Sequence, residues 1–125
     1  MVDTSAIVAV MLRESNAADC MRIWEAEESV LISAGTLAEL LIITATRDIA
    51  NEATDLIDRI GAEIIPVTET MARQVGEAYA RWGKGIHPAG LNFGDCFAYA
   101  LAKERGCRLL YVGADFAKTD VESAL

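Results

Sequence analysis

The sequence is poor in the residues that announce several common chemistries. It has one histidine, His87, and three cysteines, Cys20, Cys96 and Cys107, with no C-x-x-C spacing. An odd, unspaced cysteine set fits neither a disulfide framework nor a zinc site. It reads as free buried thiols in a reducing cytoplasm. No apolar run reaches the ~18 residues that a membrane-crossing helix needs. The start "MVDTSAIVAVML" carries an acid at its third position and no basic segment, so no secretory leader is expected. There is no repeat, no low-complexity tract and no long linker. Positive charge is scarce as well: 11 Lys and Arg stand against 19 Asp and Glu, a net charge of −8. That balance argues against a simple nucleic-acid binder, which carries a basic face. It fits a solvated acidic protein, or one whose carboxylates hold cations.

What is present is apolar patterning. Hydrophobic residues make up 53% of 125 positions and charged residues 24%, which predicts one globular domain over 1–125. "MV" is a very short strand running into the helix "DTSAIVAVML", with Asp3, Thr4 or Ser5 as its cap. "NAADCMRIWEAEE" is a helix with Ala17, Cys20, Met21 and Trp24 on one face. "VLIS" (30–33) is a strand. "GTLAELLIITATRD" is apolar on nearly every side, which predicts a buried helix. Residues 49–60 form a helix ended by Gly61. "EIIPV" (63–67) is a strand at an edge or near its end, given Pro66. "TETMARQVGEAYARW" is a helix capped by Thr68. "DCFAYALAKERG" is a helix stopped at Gly106, and "RLLYV" (108–112) is a buried strand. Strands alternate with helices, so the class is α/β, with a small, mostly parallel sheet flanked by helices. The stripes holding Trp24, Met71, Tyr79 and Trp82 read as core. Gly83, Gly85, Gly90 and Gly94 suggest a mobile lip.

One carboxylate stands out. Between Glu28 and Arg47 the only charged residue is Glu39, set among Leu37, Leu40, Leu41, Ile42 and Ile43. Burying an unpaired charge costs several kcal/mol or forces its neutralisation. Arg47 is two turns away, too far for i,i+4 pairing. In parallel α/β sheets, ligands collect at the carboxyl ends of strands. Asp3 and Asp115 fall there, and Asp95 opens a helix. Each has a plainer reading. Asp3 is a natural N-cap. Asp95 lies three residues after Asn92, as in a capping box. Asp115 suits a turn, and Asp120 could cap "VESAL". Four carboxylates meeting in one cleft would repel unless cations neutralised them. Hard oxygen ligands favour Mg²⁺ or Mn²⁺. Two such ions roughly 3.5–4 Å apart can clamp a phosphodiester and supply a hydroxide nucleophile.

"VDTSAIVAVML", "SAGTLAELLI" and "LNFGDCFAYALAKERGCRLLYVGADFAKTDV" together resemble the PIN-domain ribonuclease toxins, the VapC-like members of type II toxin–antitoxin pairs. The resemblance runs over nearly the whole chain, and the order of the acids matches throughout. It implies a PIN-like three-layer fold and a metal-dependent endoribonuclease that hydrolyses RNA phosphodiesters. Asp3, Glu39, Asp95 and Asp115 match the family's acidic quartet, which would hold Mg²⁺ or Mn²⁺. Ser5 matches a hydroxyl that orients the first acid or its water, and Asp120 is a supporting acid. The resemblance also implies a homodimer, and an antitoxin whose C-terminal segment covers the cleft, often with an arginine reaching the acids. The chain departs from the family in one place. Related chains usually carry another apolar residue before the first aspartate, so the first strand is shortened here, which could loosen Asp3.

An acidic ribonuclease would still need basic contacts with RNA. Arg47, Arg81, Lys84, His87 and Lys118 are the candidates, each also readable as an ordinary solvated side chain. Two other classes compete. A phosphoreceiver domain would show an acid pair after the first strand and a lysine after the last, and neither is present. A silent binding module of the same fold would show the loss of one of the four acids, and none is lost.

Overall fold

The computed structural model describes residues 1–47 and 49–125. Among them run α1 (Thr4–Met11), α2 (Ala17–Ala26), β1 (Leu31–Ser33), α3 (Ala34–Ala45), α4 (Ala50–Arg59), β2 (Glu63–Ile65), α5 (Glu69–Trp82) and α6 (Phe93–Arg105). A 3₁₀ turn, Phe116–Lys118, follows near the end. No helix among the described residues is long and apolar enough to cross a membrane.

The sheet is parallel, as the alternation of strands and helices predicts. β1 and β2 pair in register, Ile32 opposite Ile64. Beyond them it continues through single parallel bridges, Val2 with Leu110 and Leu109 with Ser123. The expected strands at 1–2 and 108–112 are therefore present only as bridges. Pro66 has no N–H to give, and β2 stops at Ile65, short of the expected 67. The pairing of 122–124 at the edge and the 3₁₀ turn have no counterpart in the sequence reading.

The short first strand does not leave Asp3 loose. Val2 N–H donates to Leu31 O at 2.9 Å, Asp3 N–H to Leu110 O at 2.9 Å, and Leu110 N–H to Met1 O at 2.9 Å. The segment is fastened on both sides, and Val2 is wholly buried.

Strand side chains alternate between two cores, as period-two geometry requires. Val2, Ile32 and Leu110 pack with residues of α1, α2, α3 and α4: Ile7, Trp24, Leu40, Leu56 and Ile57 among them. Leu109, Tyr111 and Ile65 point the other way, onto Met71, Val75 and Ala78 of α5 and Cys96 to Ala102 of α6. This gives three layers. Cys20 and Cys96 are free and buried, and Cys107 is free and half-buried. Trp24 and Met71 belong to the core as expected, but Tyr79 is exposed and Trp82 only half-buried.

Two expectations fail here. α3 is not a buried helix. Only Thr36, Leu40 and Thr44 are buried on it, while Leu41 and Ile42 face outward, Ile42 at 68% exposure. Its apolar composition covers faces that the core does not use. The expected end of that helix at Asp48 lies outside the described residues. The glycine-rich lip also differs from the expectation in extent, and backbone bonds cross it. Lys84 N–H donates to Leu91 O at 2.9 Å, Leu91 N–H to Trp82 O at 3.0 Å, and His87 N–H to Gly83 O at 3.0 Å. Gly94 is not in that loop at all but within α6.

The two-core arrangement sets a contrast that melting can check. Leu110→Ala should lower unfolding free energy by about 3 kcal/mol, because Leu110 is 2% exposed in the middle of the sheet. Ile42→Ala should change it by no more than about 0.5 kcal/mol. Equal losses in denaturant titration would show that α3 is packed differently.

Candidate active site

Four acids reach one end of the sheet by four routes. Asp3 ends the first strand segment and is the N-cap of α1. Its Oδ2 accepts from Ser5 N–H at 2.9 Å and from the Ser5 hydroxyl at 2.5 Å. The same hydroxyl oxygen accepts from Val112 N–H at 3.1 Å, so Ser5 ties the first acid to the last strand. Asp3 is 2% exposed, and its Oδ1 is buried without any partner. Burial, with a smaller contribution from the charge of Glu39, raises the Asp3 carboxyl above its ordinary range.

Glu39 sits in the middle of α3. It is half-buried, and its Oε2 accepts from the Thr4 hydroxyl at 2.8 Å. The Thr36 carbonyl stands 3.3 Å from the same hydroxyl. This answers the anomaly of a lone carboxylate in an apolar run. Its partner is a threonine next to the first acid, together with the open end of the site. Thr4 entered the sequence reading only as a possible cap. The pattern Asp-Thr-Ser at a strand end was the available signal.

Asp95 occupies the first turn of α6 in a full capping box. Its N–H donates to Asn92 Oδ1 at 2.9 Å, and its Oδ2 accepts from Asn92 N–H at 2.7 Å. The plainer reading of Asp95 is thus also correct, and it consumes one carboxylate oxygen. Asp95 is 8% exposed. Burial first, then the charges of Asp3, Glu39 and Asp115, push its pKa up to about 7, against one Asn92 hydrogen bond that lowers it. Asp115 is exposed at the start of the 3₁₀ turn, with no capping bond of its own.

The acids are neighbours without yet forming a cage. Among the described residues no group of three or more His, Cys, Asp or Glu is preassembled to hold a metal ion. The charges of Asp3, Glu39 and Asp115 nonetheless reach Asp95. The donor set is all carboxylate oxygen, the chemistry of a hard divalent cation. The orphaned Oδ1 of Asp3 is the buried acceptor that such a cation would satisfy, so the residues fit one.

Other expected residues lie elsewhere. Asp120 is not beside the quartet. It accepts from Tyr99 Oη at 2.6 Å and pairs with Arg81 at 3.3 Å and Lys103 at 3.6 Å, one to two turns further along α6 than Asp95. There it fastens the C-terminal segment to α5 and α6. Arg81 is correspondingly committed to Asp120, and its guanidinium also lies 4.5 Å over the Trp82 ring. His87 is half-buried, its ring edge-on to Trp82 at 4.6 Å and its Nδ1 accepting from Ala89 N–H at 3.1 Å. Lys118 donates to Pro88 O at 3.2 Å. Each of these three thus has a partner within the chain. Arg47 and Lys84 are exposed, and neither is in an ion pair among the described residues.

This geometry meets its match among known proteins. The PIN domain model matches residues 1–122. Ribonuclease VapC28 of Mycobacterium tuberculosis is 41% identical over 129 residues, covering 100% of this chain and 97% of that protein. The chain therefore belongs to the PIN-domain family, in its VapC ribonuclease branch. Among solved structures it is similar in fold to M. tuberculosis VapC20, described as a Sarcin-Ricin loop cleaving toxin. The TM-score is 0.75 at 19% identity, covering 96% of this chain and 94% of that one. It is also similar to a toxin–antitoxin complex from Klebsiella pneumoniae, at TM-score 0.72 and 16% identity, covering 95% and 91%. The fold is the PIN fold.

The raised Asp95 carboxyl has a consequence for the metal-free protein. An unfolded aspartate titrates near ~3.9, and the folded one near 7. Between those values the native state holds a proton that the unfolded chain has released. Stability is therefore full below the window, falls as pH rises through it, and levels off above. In EDTA the melting temperature should drop from pH 5 to pH 8. Asp95→Asn, which keeps an acceptor for the Asn92 N–H, should flatten that slope. A wild-type slope unchanged by the substitution would place the proton elsewhere.

Proposed function

We propose that this protein is the endoribonuclease toxin of a toxin–antitoxin pair. It hydrolyses RNA phosphodiesters using Mg²⁺ or Mn²⁺ held by Asp3, Glu39, Asp95 and Asp115. The observation that carries this reading is the convergence of four carboxylates from four remote segments, one with a buried oxygen that nothing in the protein satisfies. When bound, the divalent cation supplies Lewis-acid polarisation of the phosphodiester and an activated water.

The chain's own residues prepare the site. Ser5 fixes the rotamer of Asp3 by holding Oδ2, which leaves Oδ1 buried and without a partner in the protein. Thr4 holds one oxygen of Glu39. Asn92 holds one oxygen of Asp95 and leaves the other for the cation. Asp115, exposed at the far strand end, closes the set from the solvent side. In each of the first three acids a nearby residue holds one carboxylate oxygen, which is what a preorganised ligand set requires. Phe93 stands at the rim, 72% exposed and edge-on to Phe97 at 4.9 Å. It offers a flat apolar face on which a nucleobase can stack. Arg47 and Lys84 supply the positive charge for the flanking phosphates.

The partner is an antitoxin whose segment covers the acidic cleft, and two toxin chains form a homodimer. The outward Leu41 and Ile42 of α3, with Leu12 at the end of α1, are the apolar surface available for such contacts. The whole chain, 1–125, works as one domain in the cytoplasm.

The deciding experiment is RNA cleavage by purified, antitoxin-free protein in Mn²⁺ or Mg²⁺. Wild type should cut, EDTA should stop it, and Glu39→Gln and Asp3→Asn should each reduce cleavage to background while circular dichroism shows an unchanged fold. Undiminished activity in either variant would overturn the assignment. A folded, cation-binding wild type that cuts none of several RNAs would favour the silent binding module instead.

A further inference from the structure

The contact between α3 and α6 has a feature that helix propensity disfavours. Gly94 is the second residue of α6, where alanine would be a better helix former. Its backbone is not in the left-handed region, unlike Gly106 at the end of the same helix. Conformational freedom is therefore not the reason for a glycine here. Space is. A Cβ on Gly94 would lie 2.0 Å from Oε1 of Glu39, 2.3 Å from its carboxyl carbon and 2.6 Å from Oε2. The whole carboxylate of Glu39 thus rests against the Gly94 Cα, one residue before Asp95. A second glycine repeats the device. A Cβ on Gly35 of α3 would lie 2.4 Å from the Phe97 ring of α6. The two helices approach at paired glycine contacts, Gly35 to Phe97 and Glu39 to Gly94.

We propose that Gly94 is a positioning residue for Glu39. Its missing side chain is the room that lets the Glu39 carboxylate lie beside Asp95, so that acids from two helices can share a cation. The proposal rests on the reading of these acids as cation ligands. The side chain that a Cβ would strike is the far end of a flexible glutamate. Substitution at Gly94 therefore moves the ligand and leaves the helix packing in place.

Gly76 supplies an internal control. It lies within α5, and nothing stands within 4 Å of a Cβ placed on it. The test compares wild type, Gly94→Ala, Gly76→Ala, Glu39→Gln and the double variant Gly94→Ala/Glu39→Asp. Mn²⁺ affinity is read by calorimetry without RNA, and melting temperature in EDTA. Gly94→Ala should melt at or above the wild-type temperature in EDTA yet bind Mn²⁺ at least tenfold more weakly. Gly76→Ala should bind as wild type does. The shorter aspartate of the double variant should recover part of the lost affinity.

Gly94→Ala binding Mn²⁺ within twofold of wild type, while Glu39→Gln binds weakly, would overturn the positioning role and leave the cation site standing. Equal binding by wild type and Glu39→Gln would overturn the cation reading and the proposal with it. Failure of Gly94→Ala to fold while Gly76→Ala folds would also overturn it, because the glycine would then serve packing.

Discussion

Three backbone hydrogen bonds carry the geometry on which everything else depends. Met1, Val2 and Asp3 lie between Leu31 on one side and Leu110 on the other, each contact 2.9 Å. Because that segment is the middle of a parallel sheet, its carboxyl end, the end of β1 and the end of the Leu109–Leu110 segment all open at the same edge. Three chain exits then lead from one place. One becomes α1 with Asp3 at its cap, one becomes α3 with Glu39 a turn further in, and one becomes the turn with Asp115. A single residue of register shift in the first strand would turn Val2 outward and take Asp3 away from Leu110. The brevity of the strand is tolerable because both of its edges are occupied.

The site stands against this frame as a local conflict. Burial first, then the charges of neighbouring carboxylates, raises the proton affinity of Asp3 and Asp95. The protein offsets the conflict only in part, with a neutral donor residue beside each of three acids: Ser5 for Asp3, Thr4 for Glu39 and Asn92 for Asp95. Neutral donors orient a carboxylate without cancelling its charge. Had an arginine been packed there, the acids would be satisfied and inert toward a cation. On the proposed reading, their incomplete satisfaction, most visible at Asp3 Oδ1, is what keeps them available as ligands.

The sequence disclosed the acids better than it disclosed their surroundings. Asp3, Asp95 and Asp115 were legible because strand ends and helix starts are local signals, read from Gly, Asn and apolar runs. Glu39 was legible because it breaks an apolar pattern. The same apolar pattern misled as to burial. Composition reports affinity for an interior, and Leu41 and Ile42 show that the interior in question is not this chain's own core. The internal partners of the basic residues were out of reach of the sequence for another reason. Whether Arg81 is free depends on where Asp120 returns after α6 and two further turns, and no spacing rule reaches that far. His87 and Lys118 were spent in the same way, on a backbone N–H and a backbone carbonyl. Gly94 looked like loop punctuation because glycines cluster before it. Its meaning lies in a side chain 55 residues earlier in the chain.

The charge balance now has a physical reading. A net charge of −8 repels RNA, and much of the basic complement is tied up in internal pairs with Asp19, Glu27, Glu69 and Asp120. On the proposed reading the chain does not draw in its substrate through a basic surface. It draws in cations, through a cleft whose carboxylates are held close and left unneutralised. A divalent ion is one cation that answers that field, and a guanidinium on a partner's segment is another. The two compete for the same oxygens, so the field that loads the site also makes it easy to block. An inhibitor of such an enzyme needs little affinity of its own for the catalytic residues beyond a positive charge at the right depth. The exposed apolar residues of α1 and α3 would supply the anchorage that brings the charge there.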